Sequence, residues 1–311
     1  EINKFHSTFI DSIQRYVHKG RIHAEINQLR SDQGGTVSGR LSYSNPNLQQ
    51  IPARNKEYGD KIRSLFLPEE GKQWGSFDYS QQEPRLVAHY AASIDENFTG
   101  AQEFITAYQN EAADFHQIVA DMAGISRTQA KTINLGLFYG MGKAKLSKEL
   151  GISKDAAENL LGKYHNRVPF VKKLAEAVTS SASKYGFIRT IKGRKCRFDM
   201  WEPATFGMNK AMQYEEAKAI YGNNIRRAFT YKALNRLIQG SAADQTKQAM
   251  IECYKQGFKP MLQIHDELCF SINEESDIIK VKEIMENAIE GLKVQSKVDC
   301  AIGSSWGQAK E

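Results

Sequence analysis

A chain of 311 residues with 41% hydrophobic side chains can bury one large core or two intimate ones. Its formal charge of +6 suits a polyanionic partner without requiring one. The cysteines (Cys196, Cys253, Cys269 and Cys300) include no CxxC pair, so neither a zinc knuckle nor a disulfide framework is indicated and they read as reduced thiols, some of them buried; no stretch is apolar enough to span a bilayer.

Residues 2–17 place Phe5, Phe9, Ile13, Tyr16 and Val17 at helical spacing, and Lys19 and Gly20 end that helix. The segment lacks a signal-peptide core and an initiator methionine, so the chain is expected to be cut from a longer one. Residues 21–29 alternate in part and read as a strand, whereas residues 30–60, rich in Gly, Ser, Asn and Pro, read as a long loop. Residues 74–79 form a short apolar strand containing Asp78. Pro84 then sits just inside a helical run over 85–92, where its missing N–H is not needed. Helices are expected over 102–122 and from Ser126 or Thr128 to about Tyr139, before Gly140 and Gly142. Two more cover 153–161 and 169–185, and residues 188–198 hold a basic hairpin turning near Lys192 and Gly193. Long helical regions follow over 209–229 and 241–254. Strands over 261–264 and 268–272 are joined by His265, Asp266 and Glu267. A last helix spans 278–292, and 294–302 can close the sheet. Helices outnumber strands, and their order is α+β rather than a regular βαβ series.

Three segments can carry chemistry. Asp78 ends a strand close to a helix start, where a carboxylate can hold a divalent cation at a rigid position. Taken alone, a strand-end aspartate is more often a turn residue. Asp266 and Glu267 sit at the tip of an apolar hairpin, and adjacent carboxylates repel unless a cation or base pairs with them. Two rigid strand ends bearing acids suit two-metal phosphoryl transfer. His265 has no second histidine at a useful local spacing, which favours magnesium over zinc. The third segment is RTQAKTINLGLFYG, residues 127–140. Arg127, Lys131, Leu135 and Tyr139 recur every four residues and share one helix face. Two cations near a helix N-terminus can meet a triphosphate, while an apolar residue and a ring can cover a base or sugar. The plainer alternative is an amphipathic helix with a solvated basic end.

These segments resemble motifs A, B and C of the family A DNA polymerases, the group of bacterial DNA polymerase I and many phage replicative enzymes. DYSQQEPR (78–85) is similar to motif A, RTQAKTINLGLFYGMG (127–142) to motif B and HDE (265–267) to motif C. SGRLSYSNPNLQQIP (38–52) resembles the segment that contacts the primer–template, and NRLIQGSAAD (235–244) the helix beneath the nascent pair. The five signatures keep their order and separation over nearly the whole chain. The resemblance implies an α+β right-hand polymerase fold with an antiparallel palm sheet, mostly helical fingers and a largely absent thumb. Residues 1–20 would end the thumb or connect it to the palm, 21–89 and 231–311 would form the palm, and 90–230 the fingers.

The resemblance also implies roles. Asp78 and Asp266 would be the essential metal ligands, with the Tyr79 carbonyl completing one shell and Glu267 as an accessory carboxylate. The cofactors would be two Mg2+ ions, which Mn2+ can replace. Arg127 and Lys131 would hold the triphosphate, with Lys131 also protonating the pyrophosphate leaving group. Glu83, near Tyr139, would be the steric gate against a ribose 2′-hydroxyl. His116 would touch the phosphates, and Gln81, Tyr79 and Leu135 would complete the nucleotide site. Arg40, Asn45, Gln49, Asn235, Gln239 and His265 would touch the template, the primer end or the closing pair, reading groove shape more than sequence. The hairpin with Arg189, Lys192, Arg194, Lys195 and Arg197 would line the template path. Implied partners are primer–template DNA and deoxynucleoside triphosphates, with upstream thumb and exonuclease domains in the parent chain. The setting would be intracellular, in the host cytoplasm for a viral enzyme, with no membrane.

Leu135 stands where the family carries Phe or Tyr, and Tyr231 where bacterial relatives carry Arg. The short stretch over 114–127 resembles phage-type members. A binding module with a dead site would lack an essential carboxylate, yet both Asp78 and Asp266 are present. A single-subunit RNA polymerase is disfavoured by the Glu83–Tyr139 pair.

Overall fold

The computed structural model describes residues 6–32, 34–52, 56–94, 105, 106, 108, 114–138, 141–205, 207 and 210–309. The chain divides into two compact units, one comprising Glu1–Gln82, Ala242–Leu292 and Ser296–Glu311, the other Glu83–Ser241 and Lys293–Gln295.

The first unit is built on a four-stranded antiparallel sheet: β1 (Gln73–Tyr79), β2 (Leu262–Ile264), β3 (Glu267–Ile272) and β4 (Val298–Gly303), in the order β2-β3-β1-β4. Strand alternation sends Phe77 and Tyr79 to one face of β1 and Trp74, Ser76 and Asp78 to the other. The first face buries Phe77, Tyr79, Leu268, Phe270, Ile272 and Val298 against Ala249 and Cys253 of the helix Ala233–Lys255 and Val281 and Met285 of the helix Glu275–Glu286. The opposite face packs Trp74, Leu262, Ile264 and Cys269 with Tyr43, Leu48, Ile51, Ile62 and Trp306. A sheet buried on both faces leaves its central strand little freedom to shift. Gly75 is required there: a Cβ would lie 2.6 Å from Ile272 Cγ1 and 2.8 Å from Phe77 Cε2.

Several expectations for this unit need correction. Of the predicted helix over 2–17, residues 2–5 lie outside the described residues; the rest is a π-helix, His6–Asp11, followed by Ser12–Gln14, and Val17–His18 pairs instead with Arg21–Ile22. Lys19 and Gly20 take positive φ (50° and 74°) and turn the chain back on itself. The predicted strand over 21–29 is interrupted: Glu25–Asn27 pairs separately with Ser42–Ser44, inside the predicted loop. That loop also runs into a helix, Lys56–Arg63. The helix Glu275–Glu286 starts earlier than predicted, at a capping box formed by Glu274 and Asp277, and it also ends earlier.

The second unit is largely helical. It holds Phe115–Ala123, Arg127–Phe138, Lys143–Leu150, Lys154–Arg167 and Pro169–Tyr185, together with most of Gln82–Ile94 and the first turns of Ala233–Lys255. Ser126 and Gln129 cap the Arg127 helix reciprocally, at 3.2 and 3.0 Å. Pro169–Tyr185 begins and ends where expected, with proline in its first turn and Gly186 in the left-handed conformation after it. The hairpin pairs Phe187–Arg189 with Lys195–Arg197, around the expected turn. The predicted helix over 209–229 is much shorter: among its described residues only Tyr214–Tyr221 is helical, Gly222 (φ 62°) ends it, and Ile225–Arg227 pairs with Trp201–Pro203. Ala233–Lys255 starts earlier than predicted. The predicted helix over 102–122 lies partly outside the described residues, as do Tyr139 and Gly140.

All four cysteines are reduced thiols, three of them buried. Among the described residues, no helix is long and apolar enough to cross a membrane.

Candidate active site

The strand register gathers acids. Asp78 of β1 pairs with Glu267 of β3 on one side and with Asp299 of β4 on the other. Directly opposed residues project to the same face, so Glu267, Asp78 and Asp299 form a row, and like charges so placed destabilise a sheet. Asp266 precedes the row in the two-residue turn His265–Asp266. Glu267 is therefore not at the hairpin tip, as the sequence suggests, but in β3, paired with Ile264. Sequence reasoning assigns nothing to Asp299; its signal is one acid inside the apolar run VDCAIG.

Crowding shows in the proton affinities. Partial burial, then the charges of Asp266, Glu267 and Asp299, push the Asp78 carboxyl up to about 8. Its side chain remains open to water, which screens part of that effect. Burial raises Asp266 above the ordinary carboxylate range; Glu267 adds to this, while its own backbone N–H, Arg40 and His265 oppose it. Among the described residues, no three His, Cys, Asp or Glu side chains cluster closely enough to hold a metal ion by themselves. The expected set is smaller, two carboxylates and the Tyr79 carbonyl, and its oxygen donors fit a hard divalent cation that would relieve the repulsion. Tyr79 itself is anchored in the core, its hydroxyl donating to the Met285 carbonyl at 2.6 Å.

Backbone strain falls on several of the candidate residues. Among the described residues, five non-glycines have positive φ, and Asn45 (50°), Gln81 (51°) and His265 (55°) are three of them. Each costs about 1–3 kcal/mol and persists only where the surroundings impose it. The His265 carbonyl accepts from Gln263 Nε2, and Gln263 Oε1 accepts from Gln49 Nε2 at 3.3 Å, which ties Gln49 to the acidic turn. Asn45 donates to Glu25 at 3.1 Å and accepts from Tyr16 at 3.0 Å.

The second unit carries the cations. Arg127, at the start of its helix, is exposed and pairs with Asp114 through Nε (2.8 Å) and Nη2 (2.6 Å). Asp114 is also the N-cap of Phe115–Ala123, accepting from the backbone N–H of His116 and Gln117. Lys131 is exposed one turn after Arg127. The Leu135 side chain and Tyr139 lie outside the described residues, so the predicted stripe is visible only from Arg127 to Lys131. His116 is buried; Asn134 Nδ2 lies 3.0 Å from its Nδ1, and Tyr164 donates its hydroxyl to Asn134 Oδ1 at 2.6 Å. Burial lowers the His116 pKa, with Lys131 and Arg127 adding to this against Asp114. Sequence reasoning assigns nothing to Asn134 or Tyr164. Glu83 is half-buried in the first turn of Gln82–Ile94, and Asn235 and Gln239 are half-buried one turn apart. On the basic hairpin, Arg189 and Lys195 both lie over the Phe187 ring, at 5.5 and 4.7 Å.

Comparison with known proteins agrees with this layout. Residues 1–308 match the family described as DNA polymerase family A. The chain is 37% identical to a DNA-directed DNA polymerase of Pseudomonas phage M6, covering 99% of this chain and 50% of the relative. It is 33% identical to the thermostable DNA polymerase I of Thermus aquaticus, covering 100% of this chain and 36% of the relative. The chain thus spans half or less of the length of these curated relatives. The solved POL domain of Pol1 from M. smegmatis, in complex with DNA primer-template and dNTP, shares the fold, with a TM-score of 0.78 and 31% identity over 99% of this chain and 52% of that one. The fold is accordingly the α+β right-hand polymerase fold, and the chain belongs to DNA polymerase family A.

Proposed function

We propose that this chain performs template-directed DNA synthesis: the primer 3′-hydroxyl attacks the α-phosphate of a deoxynucleoside triphosphate, and pyrophosphate leaves. The observation that carries the reading is the convergence of Asp78, Asp266 and Glu267 at the ends of β1 and β3 in a member of this family. Asp78 and Asp266, with the Tyr79 carbonyl, would hold two magnesium ions, and Glu267 would support them. Bound there, the ions supply activation of the attacking oxygen and charge stabilisation of the leaving one. Arg127, Lys131 and His116 orient the triphosphate, and Lys131 gives a proton to the departing pyrophosphate. Glu83 and Tyr139 exclude a 2′-hydroxyl, beside Gln81 and Leu135. Arg40, Asn45, Gln49, Asn235, Gln239 and His265 position the primer–template. Residues 21–89 and 231–311 act as palm, 90–230 as fingers, and 1–20 as the end of the thumb.

Primer extension on templates offering each of the four bases tests this. The expected result is magnesium-dependent addition of the complementary deoxynucleotide alone. Addition that ignores the template base, or that proceeds without divalent ions, overturns it.

A further inference from the structure

We propose that Tyr164 and Asn134 lock His116 as the neutral tautomer with its proton on Nε2, a fixed hydrogen-bond donor for a phosphate oxygen of the incoming nucleotide. Two hydrogen-bond patterns could join these three buried side chains. In one, Tyr164 donates to the Asn134 carbonyl oxygen, and the Asn134 amide donates to His116 Nδ1. In the other, the amide is reversed: it donates to Tyr164, and His116 Nδ1–H donates to Asn134. The distances choose between them. Tyr164 lies 2.6 Å from Asn134 Oδ1, the length of an O–H···O bond and short for N–H···O. The contact to His116 is 3.0 Å, as expected for an amide N–H on a ring nitrogen. Nδ1 is thus an acceptor, and a neutral imidazole with an accepting Nδ1 must carry its proton on Nε2. Burial, then the nearby cations Lys131 and Arg127, shift the ring toward its neutral form against the opposing charge of Asp114.

The network spans three helices: His116 on Phe115–Ala123, Asn134 on Arg127–Phe138 and Tyr164 on Lys154–Arg167. Asn134 and Tyr164 are fully buried. An apolar pair would fill that space with less desolvation, so a specific donor direction at His116 is what the polar relay provides. Tyr164 and Asn134 are positioning residues here, and the inference rests on His116 as a phosphate contact.

Nitrogen NMR of the protein labelled with 15N-histidine, with His116 assigned by its loss in H116Q, reads the tautomer directly. The expected spectrum has an unprotonated Nδ1 and a protonated Nε2 in the parent and a mixture of tautomers in Y164F. A protonated Nδ1 in the parent overturns the lock, whatever His116 does with nucleotide. Single-nucleotide incorporation supplies the functional half. Y164F should raise the nucleotide KM by about 3- to 10-fold, the effect of one weakened hydrogen bond, with primer–template affinity unchanged. In an H116A background, Y164F should have no further effect. Equal losses in both backgrounds would show Tyr164 to be merely structural. An unchanged KM in H116A would reject the phosphate role, and with it the functional half, while the NMR result still decides the tautomer.

Discussion

The acidic strand ends and the cationic helix are assembled on opposite principles. In the first unit, β-register places Glu267, Asp78 and Asp299 side by side, and these like charges gain nothing from one another. The hydrophobic core holds them in place, with Phe77 and Phe270 packed edge to face at 5.7 Å beneath the row. In the second unit, the side chains are satisfied from within: Arg127 has Asp114, and His116 has Asn134 and Tyr164. The first region thus leaves its charges unbalanced, a balance that bound cations would restore under the proposed function, whereas the second is internally paired, and a ligand must compete for part of it. Substitutions should therefore have unlike consequences in the two regions.

The largest effect is expected at the acids. D78N and D266N should each lower nucleotide incorporation by about 10^3-fold or more, with primer–template binding retained. Single-turnover incorporation measures the first and anisotropy the second; near-normal turnover at saturating magnesium would remove these residues from the chemistry.

Stability separates the regions next. F77A should cost about 3–5 kcal/mol in urea unfolding, because it empties the core beneath the acidic row. D78N should do the reverse in chelator at neutral pH. The Asp78 pKa is raised in the folded state, so its contribution to stability is greatest below the ordinary carboxylate pKa and is lost as pH rises through about 8. Metal-free stability should therefore decline over that range in the parent, and D78N should flatten the decline. An equal slope in both proteins would show that the row is not repulsive.

The gate should give a smaller effect. E83A is expected to lower the ratio of kcat/KM for deoxy- over ribonucleotides by more than about tenfold. An unchanged ratio would reject the role. The smallest effect belongs to the Asp114–Arg127 pair. Asparagine also caps helices well, so D114N should change stability by less than about 0.5 kcal/mol while releasing Arg127. Nucleotide KM should then fall by about two- to threefold, as expected for removal of an exposed competing ion pair. A higher KM would show that Asp114 orients Arg127 rather than competing for it.

What was legible in the sequence follows the range of the interactions involved. β1 and the β2–β3 hairpin can be read because their apolar runs are local and bounded, which is what singles out Asp78, Asp266 and Glu267 as candidates. Ser126 was a readable cap, since Gln129 lies three residues on. The pairing of Glu25–Asn27 with Ser42–Ser44 was not readable, because polar strands of three residues carry no periodic signal. The first turns of Ala233–Lys255 are hard to read because Gly240, a weak helix former, separates them from the run that begins at Ser241. Asp299 and the relay through Asn134 and Tyr164 stayed hidden for another reason: their partners are remote in sequence, and only strand register and helix packing bring them together.

Asp78 and Asp266 either form a cation site together or meet only by accident of register. Electron paramagnetic resonance of Mn2+ decides between the two on the complex with a dideoxy-terminated primer–template and the matched nucleotide. The expected spectrum shows tightly bound Mn2+ in the parent, displaced by Mg2+ and strongly reduced in both D78N and D266N. Mn2+ binding in the two variants equal to that of the parent would contradict it.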